Sequence, residues 1–122
     1  MAKNTVLTLK KKVDEGGKVT MVTSYDYTMA ALVEEAGIDM ILVGDSLGMT
    51  MMGYDSTIPV TMDDMVHHTR CVTRATSNTF VVGDMPFLSY EQDVASAVSN
   101  AGRLMKEGRC QAVKLEGGIE VC

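Results

Sequence analysis

No uninterrupted apolar run in this 122-residue chain approaches the roughly 18 residues that a membrane span needs. The first residues lack the long apolar segment of a secretory signal, so a cytoplasmic location is expected. Cysteine is scarce. Cys71, Cys110 and Cys122 are odd in number and form no Cys-x-x-Cys pair, which argues against a disulfide framework or a structural zinc site. The glycine patterns of nucleotide-binding loops, GxGxxG and GxxxxGK followed by Ser or Thr, are both absent. Basic residues are outnumbered, 11 against 16 acidic, and a net charge of −5 speaks against a broad surface for nucleic acid or anionic membrane.

What is present has the balance of a folded domain, with 46% hydrophobic and 22% charged residues. The length suits one continuous domain over 1–122. Eleven methionines suit the filling of irregular gaps in packed interfaces. Val6, Leu9 and Val13 at helical spacing predict a short entry helix over 5–15, stopped by Gly16-Gly17. An alternating, β-branched stretch predicts a strand over 19–25. Met29, Leu32, Val33 and Ala36 mark one face of a helix closed by Gly37, and a second strand follows over 39–44. Residues 45–59 hold Gly48, Gly53 and Pro59 without a sustained period and read as a long loop, the kind that often carries function. Thr61 and Asp64 form a capping-box pattern that opens a helix over 61–76. A third strand over 79–84, a helix over 90–107 closed by Gly108, and a fourth strand over 111–116 complete the alternation. Strands and helices alternating in this way predict an α/β fold of parallel strands joined by helical crossovers.

Three of the apolar runs end in an acid: Asp45 after Ile41-Leu42-Val43-Gly44, Asp84 after Phe80-Val81-Val82-Gly83, and Glu116 after Ala112-Val113-Lys114-Leu115. In parallel α/β folds the carboxyl ends of strands gather on one face, where the site is built. Three carboxylates there suit a hard cation such as Mg2+, which takes one or two protein carboxylates and keeps several waters. The bland alternative is that each acid caps a helix or satisfies a loop amide. Lys114 lies two residues before Glu116, so the two share a strand face, and a lysine turned inward needs an anionic partner. Ser46 is suited either to donating to a substrate carboxylate or to capping a turn. His67 and His68 project about 100 degrees apart on a helix and do not readily share a metal, which points to a solvated face. Tyr25-Asp26-Tyr27 closes the first strand and is suited both to lining the pocket and to capping the next helix.

These residues, in this order, resemble ketopantoate hydroxymethyltransferases. The match runs through Thr23-Ser24-Tyr25-Asp26-Tyr27, Leu42-Val43-Gly44-Asp45-Ser46-Leu47-Gly48-Met49-Thr50 and Gly53-Tyr54-Asp55-Ser56-Thr57-Ile58-Pro59-Val60-Thr61. It continues through Gly83-Asp84-Met85-Pro86-Phe87 and Val113-Lys114-Leu115-Glu116-Gly117-Gly118. The resemblance implies a TIM-type (β/α)8 barrel, a cytoplasmic homo-oligomer (a decamer in the full-length family), and a place in pantothenate biosynthesis. The implied reaction moves the one-carbon unit of 5,10-methylenetetrahydrofolate onto 3-methyl-2-oxobutanoate to give 2-dehydropantoate. Asp45, Asp84 and Glu116 are implied to surround Mg2+, and Asp45, Ser46, Asp84 and Lys114 to hold the 2-oxo acid. A metal chelated by the 2-oxo acid would stabilise the enolate formed at C3, with Lys114 adding positive charge beside it.

The same resemblance assigns about the first four of eight barrel strands to this chain, an N-terminal half. The family's general base, a glutamate of the second half, is expected beyond Cys122, so no catalytic residue is assigned here. Four strands alone would leave two open edges and an uncovered interior. An inactive metal- and keto-acid-binding or assembly fragment is therefore the alternative reading. A third is another Mg2+ enolate enzyme of the phosphoenolpyruvate mutase and isocitrate lyase type. The segment 55–61 favours the hydroxymethyltransferase.

Overall fold

The computed structural model describes residues 2–122. Its centre is a parallel four-stranded sheet in the order β1 (Met21–Thr23), β2 (Met40–Val43), β3 (Phe80–Asp84) and β4 (Ala112–Lys114). Each strand lies beside its predecessor, as expected of successive βα units. The α/β reading holds, and the four strands fall inside the predicted spans. Among the described residues, β1 and β4 each keep one edge unpaired.

Register gives the two faces of the sheet different work. Ile41, Val43 and Val81 point one way and are fully buried against Val33 of α2 (Tyr27–Glu35), Met65, Val66 and Val72 of α4 (Met62–Ala75), and Leu104 of α5 (Val94–Lys106). Burial on this scale is worth about 1.5–3 kcal/mol per side chain. The alternate residues Met40, Phe80, Val82 and Ala112 point the other way. With Val6, Leu9 and Val13 of α1 (Val6–Asp14) they line an open apolar groove of ≈ 440 Å³.

The helix ends follow local chemistry. Thr5 with Thr8 caps α1, and Thr61 with Asp64 forms the reciprocal capping box predicted for α4. Asp26 caps α2 by accepting from the Met29 amide. Helix α5 starts four residues later than its apolar spacing predicts, because the Asp93 side chain accepts from the Ser96 amide at 2.7 Å and fixes the start there. Its end also differs. Gly108 does not take the left-handed conformation; Arg109 does, at φ 67°. Gly108 is required for space instead, since a Cβ there would sit 2.5 Å from the Leu104 carbonyl oxygen and 3.0 Å from Thr69 Cγ2.

The predicted loop over 45–59 contains a short helix, α3 (Leu47–Thr50), anchored by the fully buried Leu47. One turn in which Leu47 is the only buried side chain beside the buried Gly48 is too short to show a period. A 3-10 turn, Ile119–Val121, follows β4. No helix among the described residues is long and apolar enough to cross a membrane.

Candidate active site

The parallel register does most of the assembly. Asp84 is the partner of Lys114 across β3 and β4, so both side chains leave the same face at the same height. The Lys114 Nζ donates to Asp84 Oδ1 at 3.0 Å and to Glu116 Oε2 at 3.4 Å. Asp84 itself is buried, and its Oδ2 accepts from the Asp45 amide at 3.2 Å. Asp45, Asp84, Lys114 and Glu116 are thus brought to one mouth, at the carboxyl ends of β2, β3 and β4.

The charges there are unbalanced, with three acids facing one lysine. Partial burial raises the Asp45 carboxyl above its ordinary value, and the neighbouring Asp84 charge adds to the rise. For Lys114, partial burial works to lower the ammonium, but the hydrogen bond and charge of Asp84 and the charge of Glu116 outweigh it and hold it above the usual lysine range. The surplus of negative charge in this mouth favours a cation.

The metal expectation meets a specific geometry. Among the described residues, no group of three His, Cys, Asp or Glu side chains is arranged to hold a metal ion. Asp45 and Asp84 lie close enough to repel each other, whereas Glu116 is turned to Lys114. The donor set fits Mg2+ as a pair of carboxylates completed by water, a common way for that ion to bind.

Ser46 belongs to a second polar chain. Its hydroxyl lies 2.8 Å from the Tyr25 hydroxyl. The Tyr25 carbonyl oxygen in turn lies 2.7 Å from His68 Nδ1. A carbonyl only accepts, so His68 carries a proton on Nδ1 in this arrangement. His67 is exposed as its helix face predicts, but His68 is half-buried and committed to Tyr25, which corrects the reading of both as solvated. The pair points two ways because successive helical positions do.

Tyr90 is the functional neighbour that sequence reasoning missed. Its hydroxyl donates to the Glu116 carbonyl oxygen at 2.7 Å and accepts from the Glu116 amide at 3.1 Å. Tyr90 precedes α5 in an irregular turn, and no spacing rule links it to a strand end 26 residues away. With Thr57, Ile58, Met85, Phe87 and Glu91 it lines a cavity of ≈ 270 Å³ that opens on Asp45 and Glu116. The exposed Ile58 and Phe87 supply an apolar rim to an otherwise charged mouth.

Comparisons with known proteins agree with this architecture. The family described as ketopantoate hydroxymethyltransferase matches residues 3–122. A curated 3-methyl-2-oxobutanoate hydroxymethyltransferase of Enterococcus faecalis is 60% identical over 120 residues, covering 98% of this chain and 44% of its own length. The protein of the same description from Clostridium novyi is 60% identical over 119 residues, 98% of this chain and 43% of its own. The chain therefore spans less than half the length of the curated relatives it matches. A crystal structure of 2,3-dimethylmalate lyase, a PEP mutase/isocitrate lyase superfamily member, superposes with a TM-score of 0.67 over 95% of this chain and 40% of that one. At 16% identity that likeness speaks for the fold alone, a partial barrel. With the family matched along nearly its whole length, the chain belongs to the ketopantoate hydroxymethyltransferases.

Proposed function

We propose that this chain supplies the metal- and keto-acid-binding part of a 3-methyl-2-oxobutanoate hydroxymethyltransferase, with 5,10-methylenetetrahydrofolate as one-carbon donor and 2-dehydropantoate as product. The observation that carries the reading is the Asp84–Lys114–Glu116 arrangement beside Asp45. A Mg2+ ion bound there would supply Lewis acidity toward a 2-oxo acid. Asp45 and Asp84 offer its carboxylate ligands, and Glu116 offers an outer contact through water. Lys114, held in place by two acids, presents positive charge to the substrate carboxylate and to the charge that develops on its oxo oxygen. Ser46, steadied by Tyr25, donates to the same substrate. The apolar rim of Ile58 and Phe87 suits the branched carbon end of the acid. The reading carries with it pantothenate biosynthesis, a cytoplasmic location and a homo-oligomeric assembly.

Calorimetry with 3-methyl-2-oxobutanoate tests it. The expected result is binding that requires Mg2+ and is lost in Asp84→Asn. Binding that ignores Mg2+, or that survives Asp84→Asn unchanged, would overturn the assignment.

A further inference from the structure

The opposite end of the sheet holds a second concentration of charge. A cavity of ≈ 310 Å³ opens among the turns that lead into β3 and β4 and is lined by Lys3, Thr73, Arg74, Thr76, Ser77, Arg109 and Gln111. Three basic residues line it, each of them exposed, and no acid does, in a chain whose net charge is −5. The ion pairs among the described residues engage Lys10, Lys11, Lys12, Arg103 and Lys114, and none engages Lys3, Arg74 or Arg109. Glu34 meets the same turn from the other side, but its carboxylate is engaged by the amides of Ser77, Asn78 and Thr79 and lines a different cavity.

Arg109 is the informative member. It occupies the left-handed conformation at φ 67°, a position glycine takes with least strain. A strained residue held against its backbone preference invites a functional account. The helix dipoles explain a cation near the end of α4 or of α5. They do not explain two guanidinium groups and a lysine lining one cavity. Uncommitted donors lie beside them: Gln111 uses only its Oε1, accepting from the Val81 amide at 2.8 Å, and its amide nitrogen remains to donate.

We propose that this cavity is an anion site for a small phosphate-bearing ligand, separate from the carboxylate mouth at the other end of the strands. Two guanidinium groups and an ammonium match a phosphate in charge, and a guanidinium's planar fork of donors suits phosphate oxygens. The cavity exceeds the size of one phosphate, which leaves room for the group it is attached to.

Titration calorimetry with inorganic pyrophosphate at low ionic strength tests the proposal. The proteins compared are the unaltered chain, Arg109→Gly, Arg74→Gln and a control, Lys10→Gln, whose ammonium is paired on α1. The expected result is saturable one-site binding, weakened about tenfold by either arginine substitution and unchanged in the control. A thermal melt of each variant separates lost binding from lost fold. No saturable binding to the unaltered chain, equal binding after Arg109→Gly, or an equal loss in Lys10→Gln would each overturn it.

Discussion

Arg109 and Gly108 offer a direct test of how the end of α5 is built, because the two neighbours should respond in opposite directions. A Cβ-bearing residue in the left-handed region costs about 1–2 kcal/mol. Glycine removes that strain but gives the unfolded chain more freedom, a loss of about 0.5–1 kcal/mol. Arg109→Gly should therefore stabilise the chain by about 0.5–1 kcal/mol. For a chain of this length, that is a rise in Tm of about 2–4 °C. Gly108→Ala should do the reverse. Its new methyl would meet the Leu104 carbonyl oxygen at 2.5 Å and Thr69 Cγ2 at 3.0 Å, both held by packed elements. Overpacking of that kind costs about 1–3 kcal/mol. Urea unfolding of the three proteins, compared by midpoint at constant slope, reads both changes. An unchanged or lowered midpoint for Arg109→Gly would refute the assignment of strain. A harmless Gly108→Ala would show that Gly108 has room after all.

Two further expectations concern polar anchors. Lys12 donates to both oxygens of the buried Asp39 at 2.8 Å, and this hydrogen bond, with that of the Thr20 amide, holds the Asp39 carboxyl below its ordinary 3.8. An acid lowered in the folded state contributes stability above its unfolded pKa and loses it as pH falls through the folded one. Lys12→Met should thus cost about 1 kcal/mol at neutral pH, discounted for the exposure of the lysine. The difference should shrink in melts taken below about pH 4; a constant difference down to pH 2 would contradict the pairing. Tyr90→Phe removes both hydrogen bonds to the Glu116 backbone, worth about 1–3 kcal/mol together. The Glu116 amide should exchange faster with solvent, and Mg2+-dependent keto-acid affinity should fall; an unchanged amide would mean that Tyr90 does not position Glu116.

The strands, the four longer helices and the acid-bearing strand ends are legible because each depends on residues close together in the chain. Apolar spacing shows that α5 exists but not where it begins, and the Thr61–Asp64 pair marks the start of α4 to the residue. Lys114 was readable as a lysine needing an anionic partner, since it interrupts an apolar strand. What stayed hidden depends on register and turns. Asp84 could be matched to Lys114 only once β3 and β4 were aligned. Tyr90 and His68 reach backbone groups far away in sequence, and no local pattern encodes such a reach. Gly108 and Arg109 show the finer limit: a glycine after a helix suggested the left-handed turn, while space decided the glycine and its neighbour took the turn.

Helix α1 buries none of its own residues. It is tied down at a few polar points: the Asn4 amide to the Asn78 carbonyl at 2.8 Å, the Asn4 side chain to the Asp39 carbonyl at 2.9 Å, and Lys12 to Asp39. A segment attached by so few bonds opens at a free energy well below that of the sheet it covers. Its amides should lose protection against exchange long before those of β3. Opening would bare the Met40–Phe80–Val82 strip while the strands stay paired. The form of this chain most prone to stick to its neighbours is then one detached helix away from the native state, and heating well short of the melt should be enough to populate it.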